Sequence, residues 1–144
     1  MKTSVKILIL LLFSISACSE TVDSEYASLD VARKENAIRT GLIPEWLPDT
    51  SREIKVAFDI STNEKILAFQ YKMNEGWNLL GICEEIDAFE PPKPQLNRDW
   101  WPEDVPANRA SPPRHTFYKC ENGGSFLAVH PKIGKVFYWN TKYY

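Results

Sequence analysis

Apolar and polar positions alternate along residues 53–60, where Ile54 and Val56 are followed by further apolar residues at every second position. This period of two predicts a strand with one buried face. Turn-forming residues follow at 61–64, and the alternation resumes over 65–73. Two alternating segments joined by so short a turn predict a β-hairpin.

Further strands are expected toward the C-terminus. Residues 115–120 and 125–130 flank a Gly-Gly turn, and a second turn at 131–134 leads into 135–140. These segments predict two linked hairpins. Residues 77–86 are apolar enough for another strand or a buried segment.

One amphipathic helix is predicted over residues 25–40, with Ser24 or Ser28 as its N-cap and Gly41 just beyond its end. Its apolar positions near one face are Ala27, Val31, Ile38 and Leu42. Neighbouring strands with short turns pair antiparallel. The sequence therefore predicts an α+β fold, an antiparallel sheet of five or six strands with this helix packed on one face.

A proline-rich segment interrupts the strands. Seven of the ten prolines lie between Pro91 and Pro113, where missing amides exclude regular structure and predict a long loop. The loop contains Trp100 and Trp101, whose rings are suited to stacking on a sugar or a peptide proline. The neighbouring carboxylates at the rim of this predicted binding surface are Asp99, Glu103 and Asp104. The alternative is that both tryptophans fasten the loop to the domain.

The N-terminus has the pattern of a secretory signal, with a cationic start, an apolar run over residues 7–13 and small residues before Cys18. The apolar run is too short to span a membrane. Residues 15–18 resemble the lipobox of bacterial lipoproteins, which implies that Cys18 is lipidated and begins the mature chain. Ordinary signal cleavage, which leaves Cys18 as a plain thiol, is the alternative.

The predicted organisation is a signal peptide at 1–17, a lipidated tether at 18–24 and a single domain at 25–144. In bacterial lipoproteins an Asp after the cysteine often retains the protein in the inner membrane. Ser19 stands there in this chain, so the resemblance implies the outer membrane, in a cell that has one, with the domain facing the periplasm. Lipidation of Cys18 leaves two cysteines, Cys83 and Cys120, and an oxidising compartment favours a disulfide between them. A zinc site is the alternative, with His115 and His130 completing the ligands, although the close spacing of structural zinc sites is absent.

Composition limits the partners. Removal of residues 1–17 takes away two lysines and no acid, so 15 basic residues remain against 19 acidic ones. Nucleic acid is not an expected partner, because the basic residues form no cluster that would neutralise phosphates. No cofactor is predicted. The expected partners are the membrane, through the lipid, and an envelope protein or glycan, and the sequence does not indicate an oligomeric state.

Two function hypotheses follow. The absence of known catalytic motifs favours a membrane-anchored, extracytoplasmic binding or interaction module that is not an enzyme. The rival is a small cell-envelope hydrolase that uses His115 or an acidic group, with the Trp100-Trp101 loop as a substrate platform. The acidic group consists of Glu84, Glu85, Asp87 and Glu90. More commonly, such a group of acidic residues simply lies at the solvent-exposed end of a strand.

Several short motifs resemble a group of small bacterial lipoproteins of unknown function. They are GLIPEWLP at 41–48, DISTN at 59–63, WWP at 100–102, FYKC at 117–120 and VFYW at 136–139. The resemblance implies a single domain outside the cytoplasm. It implies no catalytic residues.

Overall fold

The computed structural model describes residues 20–73, 77–79, 81–120 and 124–141. These residues form seven strands and one short helix. In chain order the elements are β1 (Thr21–Ser28), α1 (Leu29–Lys34), β2 (Arg52–Asp59), β3 (Glu64–Gln70), β4 (Cys83–Ile86), β5 (Thr116–Cys120), β6 (Ser125–Val129) and β7 (Lys135–Asn140).

All seven strands belong to one antiparallel sheet, in the order β1-β2-β3-β7-β6-β5-β4. The predicted hairpin is β2 and β3, and the two linked hairpins are β5, β6 and β7. One end of the sheet holds the start of β1 with the ends of β2 and β7, and we call it the Glu20 end. The opposite end, at the β6-β7 turn, is the Gly134 end.

One face of the sheet is covered by α1 and the turns that follow it. Ser28 caps the helix by accepting a hydrogen bond from Val31 N (3.4 Å), as one of the two predicted caps. The cover buries Leu29, Ile43 and Leu47 against the sheet. Burial of these aliphatic side chains stabilises the layer, because each removes apolar surface from water.

The proline-rich segment covers the opposite face. No helix or strand occurs between Asp87 and His115, a stretch that the structure describes in full, as predicted. The segment crosses the sheet from β4 to β1, and contacts with the sheet mark its path. These are Trp139 Nε1 to the Pro92 carbonyl (2.9 Å), Leu96 N to the Glu64 carboxylate (3.1 Å) and Arg98 Nε to the Asp23 carboxylate (2.6 Å). Because both faces of the sheet are covered, the central strands β3 and β7 bury apolar side chains on both sides. Ile66 and Leu67 of β3, for example, are buried on opposite faces.

The predicted α+β class is wrong. The structure is mostly β, with a seven-stranded sheet and a helix of six residues in place of five or six strands and a long helix. The error lies in residues 25–40: the first four continue β1, and α1 ends at Lys34. Pairing of β1 with the edge of β2 overrides the weak helical period, because ladder hydrogen bonds and burial of Tyr26 outweigh local propensity.

The predicted tether overlaps the sheet. Residues 21–24 of that segment form the first half of β1, and Ile60 N donates a hydrogen bond to the Glu20 carbonyl (3.1 Å). Cys18 and the predicted signal peptide lie outside the described residues. Within the described part of the chain, no helix is long and apolar enough to cross a membrane.

Candidate functional site

The predicted disulfide is confirmed. Cys83 and Cys120 face each other on β4 and β5, and their sulfur atoms are bonded with the Cα atoms 3.9 Å apart. Both side chains are buried beside the core on the α1 face. The bond ties the edge strand β4 to the sheet at the Glu20 end.

The zinc alternative is wrong. Both cysteines are committed to the disulfide, and His115 lies before β5, at the opposite end of the strand from Cys120. His130 follows β6 at the Gly134 end as well. The described residues contain no group of three or more metal-ligating side chains.

The acidic group of the hydrolase hypothesis lies on and just beyond the edge strand β4. All four of its carboxylate residues are exposed to solvent. The Asp87 side chain accepts a hydrogen bond from Phe89 N (2.9 Å), as expected in a turn. The group lines neither of the two cavities described below, so it does not face an enclosed volume there.

The two adjacent tryptophans differ in environment. Trp101 is only 8% exposed, packs edge-to-face on Phe137 and Trp139 (centroids 5.5 and 5.7 Å), and donates from Nε1 to the Val105 carbonyl (2.8 Å). Trp100 is half-buried and meets Trp101 edge-to-face at 6.1 Å. Trp101 therefore fastens the segment to the sheet, whereas part of the Trp100 side chain stays exposed to solvent.

The carboxylates predicted at the rim lie around this ring in sequence but differ in exposure. Asp99 and Glu103 are exposed, and Asp104 is half-buried. A cavity of about 250 Å³ opens between the outward and returning halves of the segment, with Trp101 and Glu103 in its lining. This volume is below the range of about 300–1,000 Å³ that is usual for ligand pockets.

His115 and His130 meet at the Gly134 end, with ring centroids 5.3 Å apart. His115 Nδ1 is buried and has no hydrogen-bond partner among the described residues. Burial lowers the pKa of His115; the Asp104 carboxylate opposes this shift, and the nearby His130 and Arg114 reinforce it. The fold therefore favours the neutral imidazole.

This environment predicts a loss of stability on the acid side. Because the pKa of His115 is lower in the folded chain than the unfolded value near 6.5, its contribution is fully present above about pH 6.5. It is lost as the pH falls through the folded pKa. When urea unfolding is measured at pH 7.5 and at successively lower pH, the free energy of unfolding should fall less for His115→Gln than for wild type. Equal losses in both proteins would contradict this account.

A larger cavity of about 470 Å³ lies at the Glu20 end, between the sheet and the turn after α1. We call it the Lys65 pocket. Its volume is within the usual range for a ligand site. The apolar part of the lining is Val22, Leu42, Phe58 and Ile60, and the polar part is Thr40, Gly41, Asn63, Lys65 and Asn140.

The strand periodicity places these side chains together. Val22, Phe58 and Lys65 occupy neighbouring strands and point to the α1 face, because each is an even number of residues from a side chain buried there. Asn140 on β7 closes the set, accepting from Lys65 N and donating to the Asn63 carbonyl (3.0 Å). Hydrogen bonds with Asn140 on β7 therefore fix the polar residues Asn63 and Lys65 in the lining of the pocket.

Lys65 is the charged group of the pocket. Its ammonium donates to the Gly41 carbonyl and lies 5.5 Å from the centroid of the Phe58 ring. Among the described residues no carboxylate lies within ion-pair distance of it. Burial lowers the pKa of Lys65. In the part of the chain that the structure describes, the pocket thus presents a positive charge between apolar walls with no carboxylate paired to it.

Comparison with known protein families identifies part of the chain. Residues 20–70 match the family described as the YbbD head domain. The match covers 51 of the 144 residues, from β1 through β3. No curated protein and no solved structure matches the chain.

The matched part of the chain is also the part that builds the Lys65 pocket. Every lining residue except Asn140 falls within 20–70. The match is to a module of unknown activity and not to a family of enzymes. The sequence does not predict this pocket, since its pattern places Val22 in a tether and Leu42 on a helix face. The available signal was Lys65 at a core-facing position of a predicted strand.

Proposed function

We propose that the protein is a lipid-anchored binding module of the bacterial cell envelope, attached to the membrane through Cys18. The observation that carries its binding role is the Lys65 pocket, which combines a ligand-sized volume, apolar walls and an ammonium that has no carboxylate partner among the described residues. The head-domain match and the disulfide support a location outside the cytoplasm. The lipobox-like residues 15–18 support the anchor.

The geometry favours binding over hydrolysis. A hydrolase needs an acid and a base that converge on one concave surface. The Lys65 pocket is lined by no carboxylate, and the smaller cavity is lined by one, Glu103. Neither cavity therefore supplies the paired groups of the rival hypothesis.

We also propose Trp100 as a second contact surface of this module, for an envelope protein or a glycan. Its ring is half-buried, and exposed carboxylates flank it at Asp99 and Glu103, with Asp104 nearby. A flat aromatic face with hydrogen-bond acceptors at its rim suits a sugar or a peptide proline. This surface lies on the face of the sheet opposite the Lys65 pocket.

Cell fractionation tests the anchor. Wild-type protein should sediment with membranes and resist a high-salt wash, because more than one acyl chain gives stable attachment. Cys18→Ser should leave the membrane or accumulate as the uncleaved precursor. Ser14→Ala, which lies in the leader outside the lipobox-like residues, should behave as wild type. Release of wild-type protein by salt, or mature-sized Cys18→Ser in the membrane fraction, would contradict the anchor.

A further inference from the structure

Lys65 lines the pocket, and its ammonium has no carboxylate partner among the described residues. It is half-buried, and it rests on the Gly41 carbonyl and the Phe58 ring, neither of which carries a formal negative charge. A desolvated cation is stabilised by an anion that enters the same site. The pocket therefore favours a ligand with an acidic group.

The rest of the lining favours an apolar tail on that ligand. Val22 is 37% exposed and Ile60 is 49% exposed, so two large aliphatic side chains stand at the mouth of the pocket. Phe58 continues this apolar surface inward to Lys65. Exposed apolar residues grouped around a cavity mark a surface that a partner covers.

The position of the pocket indicates the source of the ligand. The Glu20 carbonyl is hydrogen-bonded to Ile60 N, so the chain enters the described fold beside the mouth. Cys18 is two residues from Glu20, which is at most about 7 Å of extended chain. A lipid attached at Cys18 therefore keeps the mouth of the pocket close to the bilayer surface.

We propose that the Lys65 pocket binds an acidic phospholipid of the anchoring membrane, with the phosphate on the Lys65 ammonium and the start of an acyl chain against Val22, Phe58 and Ile60. This inference rests on the proposed lipid anchor for its choice of ligand. Occupancy sets the Glu20 end toward the bilayer. The Trp100 surface and the Gly134 end remain available to other partners.

Native mass spectrometry of the detergent-extracted, full-length mature protein tests this inference. The protein is titrated with phosphatidylglycerol and, separately, with phosphatidylcholine of the same acyl chains. Wild type should bind phosphatidylglycerol preferentially. Lys65→Met should weaken that binding about tenfold, the scale of one charge-assisted hydrogen bond. Lys135→Met is the matched control, since Lys135 is also half-buried on a strand but lies at the Gly134 end.

A second pair of variants tests the apolar mouth. Ile60→Ser should weaken binding of both lipids, whereas Ile133→Ser, at a residue 53% exposed at the opposite end, should not. Thermal melts confirm that each variant is folded. Equal binding of the two lipids by wild type, or equal effects of Lys65→Met and Lys135→Met, would overturn the proposal. Oleate is titrated as a free fatty acid in a third series. If the protein binds oleate but not phosphatidylglycerol, the ligand is a free acid and not a phospholipid of the membrane.

The same spectra test the lipid anchor and the ligand of the Lys65 pocket independently of each other. The mass of the lipid-free protein reports whether Cys18 is acylated, and the adducts report whether the pocket is occupied. An unacylated protein that still binds phosphatidylglycerol through Lys65 would refute the anchor alone. An acylated protein without selective adducts would refute the pocket's ligand alone.

Discussion

Trp101→Ala should lower the free energy of unfolding by about 3–5 kcal/mol, the usual range for removal of a buried large aromatic side chain. The ring fills the space between the proline-rich segment and β7, where it contacts Phe137 and Trp139. Its indole N–H also satisfies the Val105 carbonyl, which the substitution leaves without that donor. Urea unfolding followed by circular dichroism measures the loss.

The adjacent tryptophan provides the control. Trp100 is half-buried, so Trp100→Ala removes less buried surface and should cost clearly less. If Trp100 forms the proposed contact surface, its substitution should instead reduce the free energy of binding to an envelope partner by about 2 kcal/mol or more. Equal stability losses for the two variants would contradict the assignment of Trp101 to the core and Trp100 to the surface.

Loss of the disulfide should cost about 4 kcal/mol. Cys83 and Cys120 are 37 residues apart, and the chain-entropy model assigns roughly that value to closing a loop of this length. The loop contains the whole proline-rich segment, which forms no helix or strand between β4 and β5. The double variant Cys83→Ala/Cys120→Ala should therefore have a much lower urea midpoint than wild type.

Reduction of the wild-type protein is the matched comparison. Under reducing conditions its midpoint should fall to that of the double variant, and the double variant itself should not respond to the reductant. A wild-type midpoint unchanged by reduction, with both thiols shown to be free by alkylation, would mean that the disulfide contributes little to stability.

The strands with a clear period of two could be predicted from the sequence. In β2, β3 and the β5-β6-β7 meander, apolar residues alternate or run unbroken between turns, and antiparallel order follows from the short connections. β1 could not, because Val22 and Tyr26 are its only large apolar residues and neighbouring Ala27 and Val31 imitate a helical face. Its strand state depends on pairing with β2, whose partner residues lie 24 to 38 positions away along the chain.

The disulfide could be predicted because the signal-like N-terminus implies an oxidising compartment, and setting Cys18 aside leaves two cysteines. The Lys65 pocket could not, since its lining combines β1, β2, β3, β7 and the turn after α1. The local sequence shows only a lysine in an otherwise apolar strand. A lysine in that position is equally typical of a strand at the edge of a sheet or of a face exposed to solvent. The role of the proline-rich segment as a cover also depends on distant partners, notably the buried Glu64 carboxylate that holds its backbone.

The proposed anchor at Cys18 underlies both the proposed function and the proposed orientation of the Lys65 pocket. Its most direct test is the intact mass of the protein extracted from its own membranes, with fragmentation to locate the N-terminus. The account predicts a chain that begins at Cys18 and carries the added mass of several acyl groups on that residue. An unmodified chain that begins at Ala17 or Ser19, or one that retains residues 1–17, would contradict it.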